Sequence, residues 1–167
     1  DLQAIAAGIV SQFSEPADKP WLLALDSAFH FAAALLACWQ KGITPIVAPD
    51  TQSGTIQQLQ SVIAGIITDR PITEMTTLIV PSTVIDSLLA WEERAPQDRA
   101  LELFTSGSTG MRKRISKTFA QLADEIAILH QQWGSTLQGL PRFATVSHLH
   151  IYGLLFRLLW PLCSGGI

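Results

Sequence analysis

The chain has 167 residues, 48% of them hydrophobic and 15% charged, with a net charge of −3 from 11 basic and 14 acidic side chains. That length suits one compact domain with a single substantial core. The only basic cluster (Arg112, Lys113, Arg114, Lys117) is too local for a nucleic-acid footprint. A typical soluble domain carries about 25% charged residues, so the chain is either membrane-associated or part of something larger that covers its surface.

In chain order, short apolar runs alternate with longer helical patterns, which predicts an α/β domain with a largely parallel sheet flanked by helices. Trp21–Leu25 reads as a strand ending at Asp26 and Ser27, two residues suited to cap a helix over Ala28–Lys41, with Gly42 as its stop. Thr44–Ala48 is a second strand and Pro49-Asp50 the turn after it. Gln52–Ile63 follows as a helix with apolar residues at 56, 59, 62 and 63. Ile66–Thr68 and Thr76–Val80 are short strands, Thr83–Ala90 a helix, and Glu92–Arg99 an exposed polar loop. Leu101–Thr105 is a strand that enters a Ser/Gly-rich turn, and Arg114–Lys117 returns as its hairpin partner. Thr118 or Phe119 opens a helix to about Trp133; Phe143–Ser147 is a strand and Ile151–Leu162 a buried helix. Trp133, Phe156 and Trp160 are packing residues at helical spacing.

The apolar segments do not suit a membrane. Ile151–Cys163 carries Arg157 and Pro161, Ala28–Trp39 carries His30, and both fall short of the ~20 residues of a spanning helix. The first residues lack the basic and apolar regions of a signal peptide, so a soluble, cytoplasmic protein without a membrane span is expected. The start at Asp1, the end at Ser164-Gly-Gly-Ile167 and the charge deficit point to a partial domain over 1–167. Cys38 and Cys163, far apart in apolar segments, are read as buried free thiols. No Cys/His spacing suggests a metal site.

The chemistry concentrates in Thr105-Ser-Gly-Ser-Thr-Gly-Met-Arg-Lys113, which packs four hydroxyls, two glycines and a lysine into nine residues. Convergent O–H and N–H donors with a cation at the far end suit a polyphosphate. A plain flexible turn would share the composition, but not the position between two strands with a lysine at a fixed offset. A P-loop of the GxxxxGK[ST] type cannot be laid over it, because Arg112 precedes Lys113. A serine hydrolase using Ser106 or Ser108 lacks the G-x-S-x-G elbow.

This segment resembles the phosphate loop of the adenylate-forming (AMP-binding) superfamily, roughly [ST]-S-G-[ST]-T-G-x-P-K-G. Thr105, Ser106, Gly107, Ser108, Thr109, Gly110 and Lys113 match in order. Arg112 stands where that family has Pro, and Arg114 where it has Gly. Trp21–Asp50 is similar to the family's early strand–helix–strand, and Ser147-His-Leu-His-Ile-Tyr-Gly153 to its P-L-F-H-x-x-G segment, with His150 and Gly153 on the matching positions and Ser147 replacing Pro.

The resemblance implies part of the large N-terminal domain of the acyl-CoA synthetase-like fold. It further implies a ligase that uses ATP and Mg2+ to turn a carboxylic acid into an acyl-AMP with loss of pyrophosphate, then passes the acyl group to the thiol of CoA or a carrier protein. On that basis Thr105, Ser106, Ser108 and Thr109 would meet β- and γ-phosphate oxygens, and Lys113 the leaving pyrophosphate. His150 would lie near the acyl pocket and α-phosphate, and Gly153 would permit close helix packing. The residues alone leave His150 equally readable as a hydrogen-bonded core histidine, and His148 as structural or surface. The family's adenine loop, ribose-binding Asp and catalytic Lys have no counterpart in 1–167, so no complete catalytic set is expected here. The alternative is a non-catalytic family descendant that serves as an interaction module. A partial domain should also show an uncovered sheet edge and exposed apolar surface, and could self-associate into a dimer or larger assembly.

Overall fold

The computed structural model describes residues 1–14, 19–72, 75–81, 92–105 and 113–165. The elements are α1 (Leu2–Val10), β1 (Trp21–Ala24), α2 (Ala28–Lys41), β2 (Pro45–Val47), α3 (Ser53–Leu59), β3 (Gly65–Thr68), β4 (Thr77–Ile79), β5 (Arg99–Thr105), β6 (Lys113–Thr118) and α4 (Phe119–Trp133). A last run of helical backbone comprises α5 (Ile151–Gly153), a π-helical stretch (Leu154–Leu159) and α6 (Trp160–Cys163). The expected helix over Thr83–Ala90 lies outside the described residues.

Among the described residues six strands form one sheet in the order β4-β3-β1-β2-β5-β6. All neighbours are parallel except β5 and β6, which pair as an antiparallel hairpin. The central strands are apolar on both faces, as a covered parallel sheet requires. Trp21, Leu23, Val47, Ile67, Leu101 and Leu103 pack into the larger core with α1, α2, α4 and the last helical run. Leu22, Ala24, Ile46, Ala48 and Ile66 face the other way, against Ile56, Leu59 and Ile63. The result is an α/β sandwich of three layers with β4 and β6 as its edges.

Local chemistry sets the element ends. Ser27 accepts from the His30 amide and opens α2. Gly42 closes it in the left-handed region at φ 69°, which a β-carbon would disfavour. Thr118 and Gln121 form a reciprocal capping box at the start of α4. The helix after β2 is shorter than its apolar stripe predicts. It stops at Leu59, whose carbonyl accepts from both Val62 and Ile63, a tight turn that still delivers Ile63 to the core.

Several expectations need correction. Residues 143–147 form no strand: no described strand pairs with them, and Phe143 is 92% exposed. An apolar run becomes a strand only where a neighbour takes its N–H and C=O groups. The Glu92–Arg99 stretch is not simply exposed, because Arg94 is half-buried and donates to the Trp39 and Gln40 carbonyls at the end of α2. Cys38 is buried but Cys163 is exposed. The last helix widens to π-form before Pro161, which has no N–H to return to the preceding turn. The N-terminal segment, given no element in the sequence reading, is a buried helix packed on α2.

Apolar groups do remain in contact with water, among them Ile128 and Trp133 of α4, Phe143 and Tyr152. Among the described residues no helix is long and apolar enough to cross a membrane.

Candidate functional site

Because β1, β2, β3 and β5 are parallel, their C-terminal ends form one rim. The chain passes from β1 to β2 through α2 on one face, then back across β1 to β3 through α3 on the other. The loops leaving β1 and β2 therefore diverge, which makes this a topological switch point, the kind of place at which open α/β sheets bind ligands. One strand beyond β2, about 5 Å from it, β5 ends at Thr105 and begins the Ser/Gly-rich turn.

The rim is tied together by polar contacts. Asp69, just past β3, accepts from the Asp26 and Ser27 amides at 3.0 Å each and contacts His30 Nδ1 at 3.2 Å. Burial pushes the Asp69 carboxyl up, but those amides and the His30 ring outweigh it and hold the group below its ordinary value. Arg70 donates to the Thr51 carbonyl and hydroxyl, linking the ends of β3 and β2. Thr55 donates to Asp50 at 2.5 Å. This mesh was not legible as a site, although an Asp directly after a strand and near a helix start is a recognisable capping signal.

His148 is 4% exposed, donates from Nε2 to the Leu25 carbonyl at 3.0 Å and lies against Phe31 with ring centres 4.8 Å apart. Its Nδ1 has no hydrogen-bond partner among the described residues. Burial pushes His148 below its ordinary value, the Arg157 charge adds to the effect, and the Leu25 carbonyl, Asp69 and Asp26 oppose it. His148 is thus the core histidine. It pins the segment before the last helix to the C-terminal end of β1, on the same rim as the end of β5.

His150, two residues on, is exposed and occupies the position before α5 without capping it through its side chain. The core-histidine reading of His150 therefore passes to His148. Gly153 is buried, and a β-carbon there would lie 2.0 Å from the Ser147 carbonyl oxygen and 2.5 Å from its carbon. This glycine lets the helix start against the backbone of the His-bearing turn.

Of the predicted phosphate loop, Thr105 and Lys113 face each other as the last cross-strand pair of the hairpin. Ser106, Gly107, Ser108, Thr109 and Gly110 lie outside the described residues. Lys113 is exposed at the rim end of β6. Behind it, on the opposite face of the ribbon, Glu102 takes both Arg99 and Arg114, residues whose pairing the sequence did not reveal. A cavity of about 620 Å3 lies elsewhere, between the end of α4, the 134–142 segment and Ser164–Gly165, and the residues lining it include neither Lys113 nor His150.

A mostly parallel six-stranded sheet with flanking helices is shared with the N-terminal domain of the acyl-CoA synthetase-like, adenylate-forming enzymes. The chain matches o-succinylbenzoate–CoA synthetase of Bacillus subtilis, solved with ATP and magnesium, at a TM-score of 0.74 and 19% identity, over 99% of this chain and 47% of that one. It matches the adenylation domain of a keto acid-selecting non-ribosomal peptide synthetase module, solved with its keto acyl adenylate, at 0.73 and 16%, over 99% and 34%. Identities this low establish the fold alone. In sequence, the chain is 26% identical over 191 positions to the medium-chain fatty acid–[acyl-carrier-protein] ligase JamA of Moorena producens (strain JHB). That alignment covers 99% of this chain and 32% of the relative, so the chain spans about a third of the curated relative's length. No protein-family model matches it.

Proposed function

We propose that this chain is the N-terminal portion of an ATP-dependent acid–thiol ligase, an acyl- or aryl-CoA synthetase or a carrier-protein-loading enzyme. The observation that carries the reading is the β5–β6 hairpin. Its turn, TSGSTGMRK, leaves the C-terminal rim of a parallel sheet, and its two ends are held in register at Thr105 and Lys113. The named activities of the relatives, a carrier-protein ligase and a CoA synthetase, fit the same reaction type.

In the reaction a carboxylate oxygen attacks the α-phosphorus of ATP, the bond to the β-phosphate oxygen breaks, and pyrophosphate leaves with the electron pair. A thiol then displaces AMP from the acyl carbon. The protein's share is positioning and charge neutralisation. Thr105, Ser106, Ser108 and Thr109 supply hydroxyl donors, and Gly107 and Gly110 permit close approach of the backbone to the phosphates. Lys113 brings a point charge to the leaving pyrophosphate. His150 borders the acid and α-phosphate, with Gly153 seating its turn. Mg2+ neutralises the polyphosphate when bound. Among the described residues no group of three His, Cys, Asp or Glu could hold a metal ion.

The test uses the complete reading frame that contains this chain, assayed for acid-dependent exchange of pyrophosphate into ATP over a panel of carboxylic acids. Exchange is expected with at least one acid, with Lys113→Ala weakening MgATP use by about tenfold or more. The chain of 167 residues alone is expected to release no pyrophosphate. Absence of acid-dependent exchange in the complete protein, or indifference to Lys113→Ala, would refute the assignment.

A further inference from the structure

Glu102 is a carboxylate inside a sheet, 1% exposed, and its two oxygens are each taken by an arginine. Arg99 Nη1 donates to Oε1 at 2.7 Å. Arg114 presents Nε and Nη2 to Oε2, both at 2.5 Å. Such a charge stays inside only when paired and hydrogen-bonded. Both guanidiniums are partly open to water at their far sides, so the trio is a buried anion closed over by two cations at the edge of the sheet.

The register shows what this does to the hairpin. Arg114 stands opposite Phe104, and Glu102 opposite Ser116, so the Glu102–Arg114 tie runs diagonally across the two strands. A directly opposed pair lets strands splay or shear about it; a diagonal tie resists sliding of one strand along the other. Sliding matters here because side chains alternate, and a slip of one residue exchanges the faces.

Ile115 packs against the larger core and Lys117 donates to Glu125 of α4, which puts Lys113, Ile115 and Lys117 on the face of the helical layer. Arg114 shares the other face with Glu102 and Phe104. Two cations adjacent in sequence thus leave the ribbon on opposite sides.

We propose that Glu102 is a positioning residue for the phosphate-binding hairpin. It holds Arg114, with Arg99, as a brace that locks the β5–β6 register, so that Lys113 emerges on the helical-layer side and Arg114 is kept off the anion. The proposal rests on the phosphate-binding reading of the same hairpin. It accounts for the arginine at the position where the resemblance leads one to expect glycine: Arg114 is a structural partner of Glu102.

The experiment compares Glu102→Gln, Arg114→Gln, the double variant and Arg114→Lys in the complete protein. It measures MgATP affinity at equilibrium and hydrogen exchange of the β6 amides. A brace predicts that either single change speeds β6 exchange about tenfold and weakens MgATP about threefold or more. The double variant should be no worse than the worse single, since both single changes remove the same Glu102–Arg114 tie. Arg114→Lys should behave like Arg114→Gln, because an ammonium cannot offer two donors in the fork geometry.

If Arg114 were instead a phosphate ligand, Glu102→Gln would tighten MgATP by releasing it and Arg114→Lys would bind as the parent does; either result overturns the brace. So does unchanged β6 exchange. Should Glu102→Gln fail to fold, the two Arg114 variants still decide, because Glu102 keeps Arg99. A parent protein that binds no MgATP refutes the function and the positioning role together, whereas a binding parent with additive or silent variants refutes the brace alone.

Discussion

Replacing Gly153 with alanine tests whether this glycine exists to seat the His-bearing turn. The added methyl carbon would stand 2.0 Å from the Ser147 carbonyl oxygen, 2.5 Å from its carbon and 3.0 Å from the His148 nitrogen. An ordinary contact of at least 3.4 Å requires the oxygen to retreat by about 1.4 Å. It cannot retreat cheaply, because the Ser147 carbonyl accepts from the His150 amide at 3.1 Å and the next residue is pinned to Leu25 through the His148 ring. Overpacking against fixed backbone costs ~1–3 kcal/mol, and the better helix propensity of alanine returns at most about 1 kcal/mol. The obstruction is backbone and both neighbours are tied, so a net loss of about 2 kcal/mol is expected. For a chain of this length that lowers Tm by about 4–8 °C. Urea unfolding followed by tryptophan fluorescence should show a lower midpoint at unchanged m. A variant as stable as the parent would mean that the turn moves freely and that Gly153 has no seating role.

Two further substitutions probe the ties that the structure adds to the sequence reading. His148 is held below its ordinary value by burial, so it takes up its proton more readily when unfolded. Its contribution is present above the unfolded value of about 6.5 and is lost as pH falls through and below it. Stability should fall between pH 7 and pH 5, and His148→Gln should flatten that slope; an unaltered slope would assign the dependence to other groups. Arg94→Ala removes two donors to the last carbonyls of α2, at 2.8 and 2.9 Å. It should cost about 1–2 kcal/mol in urea unfolding, and an unchanged midpoint would show that water caps those carbonyls equally well.

The elements that the sequence made legible are those with both a pattern and a punctuation mark. The span of α2 is as expected because Ser27 caps one end and Gly42 the other. The start of α4 is fixed by Thr118 and Gln121, and the hairpin by two strands on either side of a Gly-rich turn. The expected 143–147 strand fails for the opposite reason. Its run of Phe143, Thr145 and Val146, an aromatic and two β-branched residues, is a local signal, whereas strand formation depends on a partner elsewhere in the chain. The first helix escaped notice because LQAIAAGIV is a short run, apolar but for Gln3 and Gly8, which cannot be told from a buried strand by pattern alone.

The site divides along the same line. Residues proposed to act through their own chemistry, the hydroxyls from Thr105 to Thr109 and Lys113, advertise themselves by crowding into nine positions. Residues that act through a partner do not. Glu102 is one acidic residue in a strand, Asp69 one acidic residue after another, and nothing in the sequence says that the first will meet Arg114 twelve residues on or that the second will gather the amides of Asp26 and Ser27. Yet these silent pairs set where the conspicuous ones point. In a ribbon with a two-residue repeat, the face from which Lys113 departs is decided by register, and register is decided by whichever contact is costliest to lose. At this edge strand that contact is the buried carboxylate of Glu102: sliding β6 by one residue would carry Arg114 to the other face and leave Oε2 without its partner, a penalty far larger than any that a loosely packed Ile115 would impose.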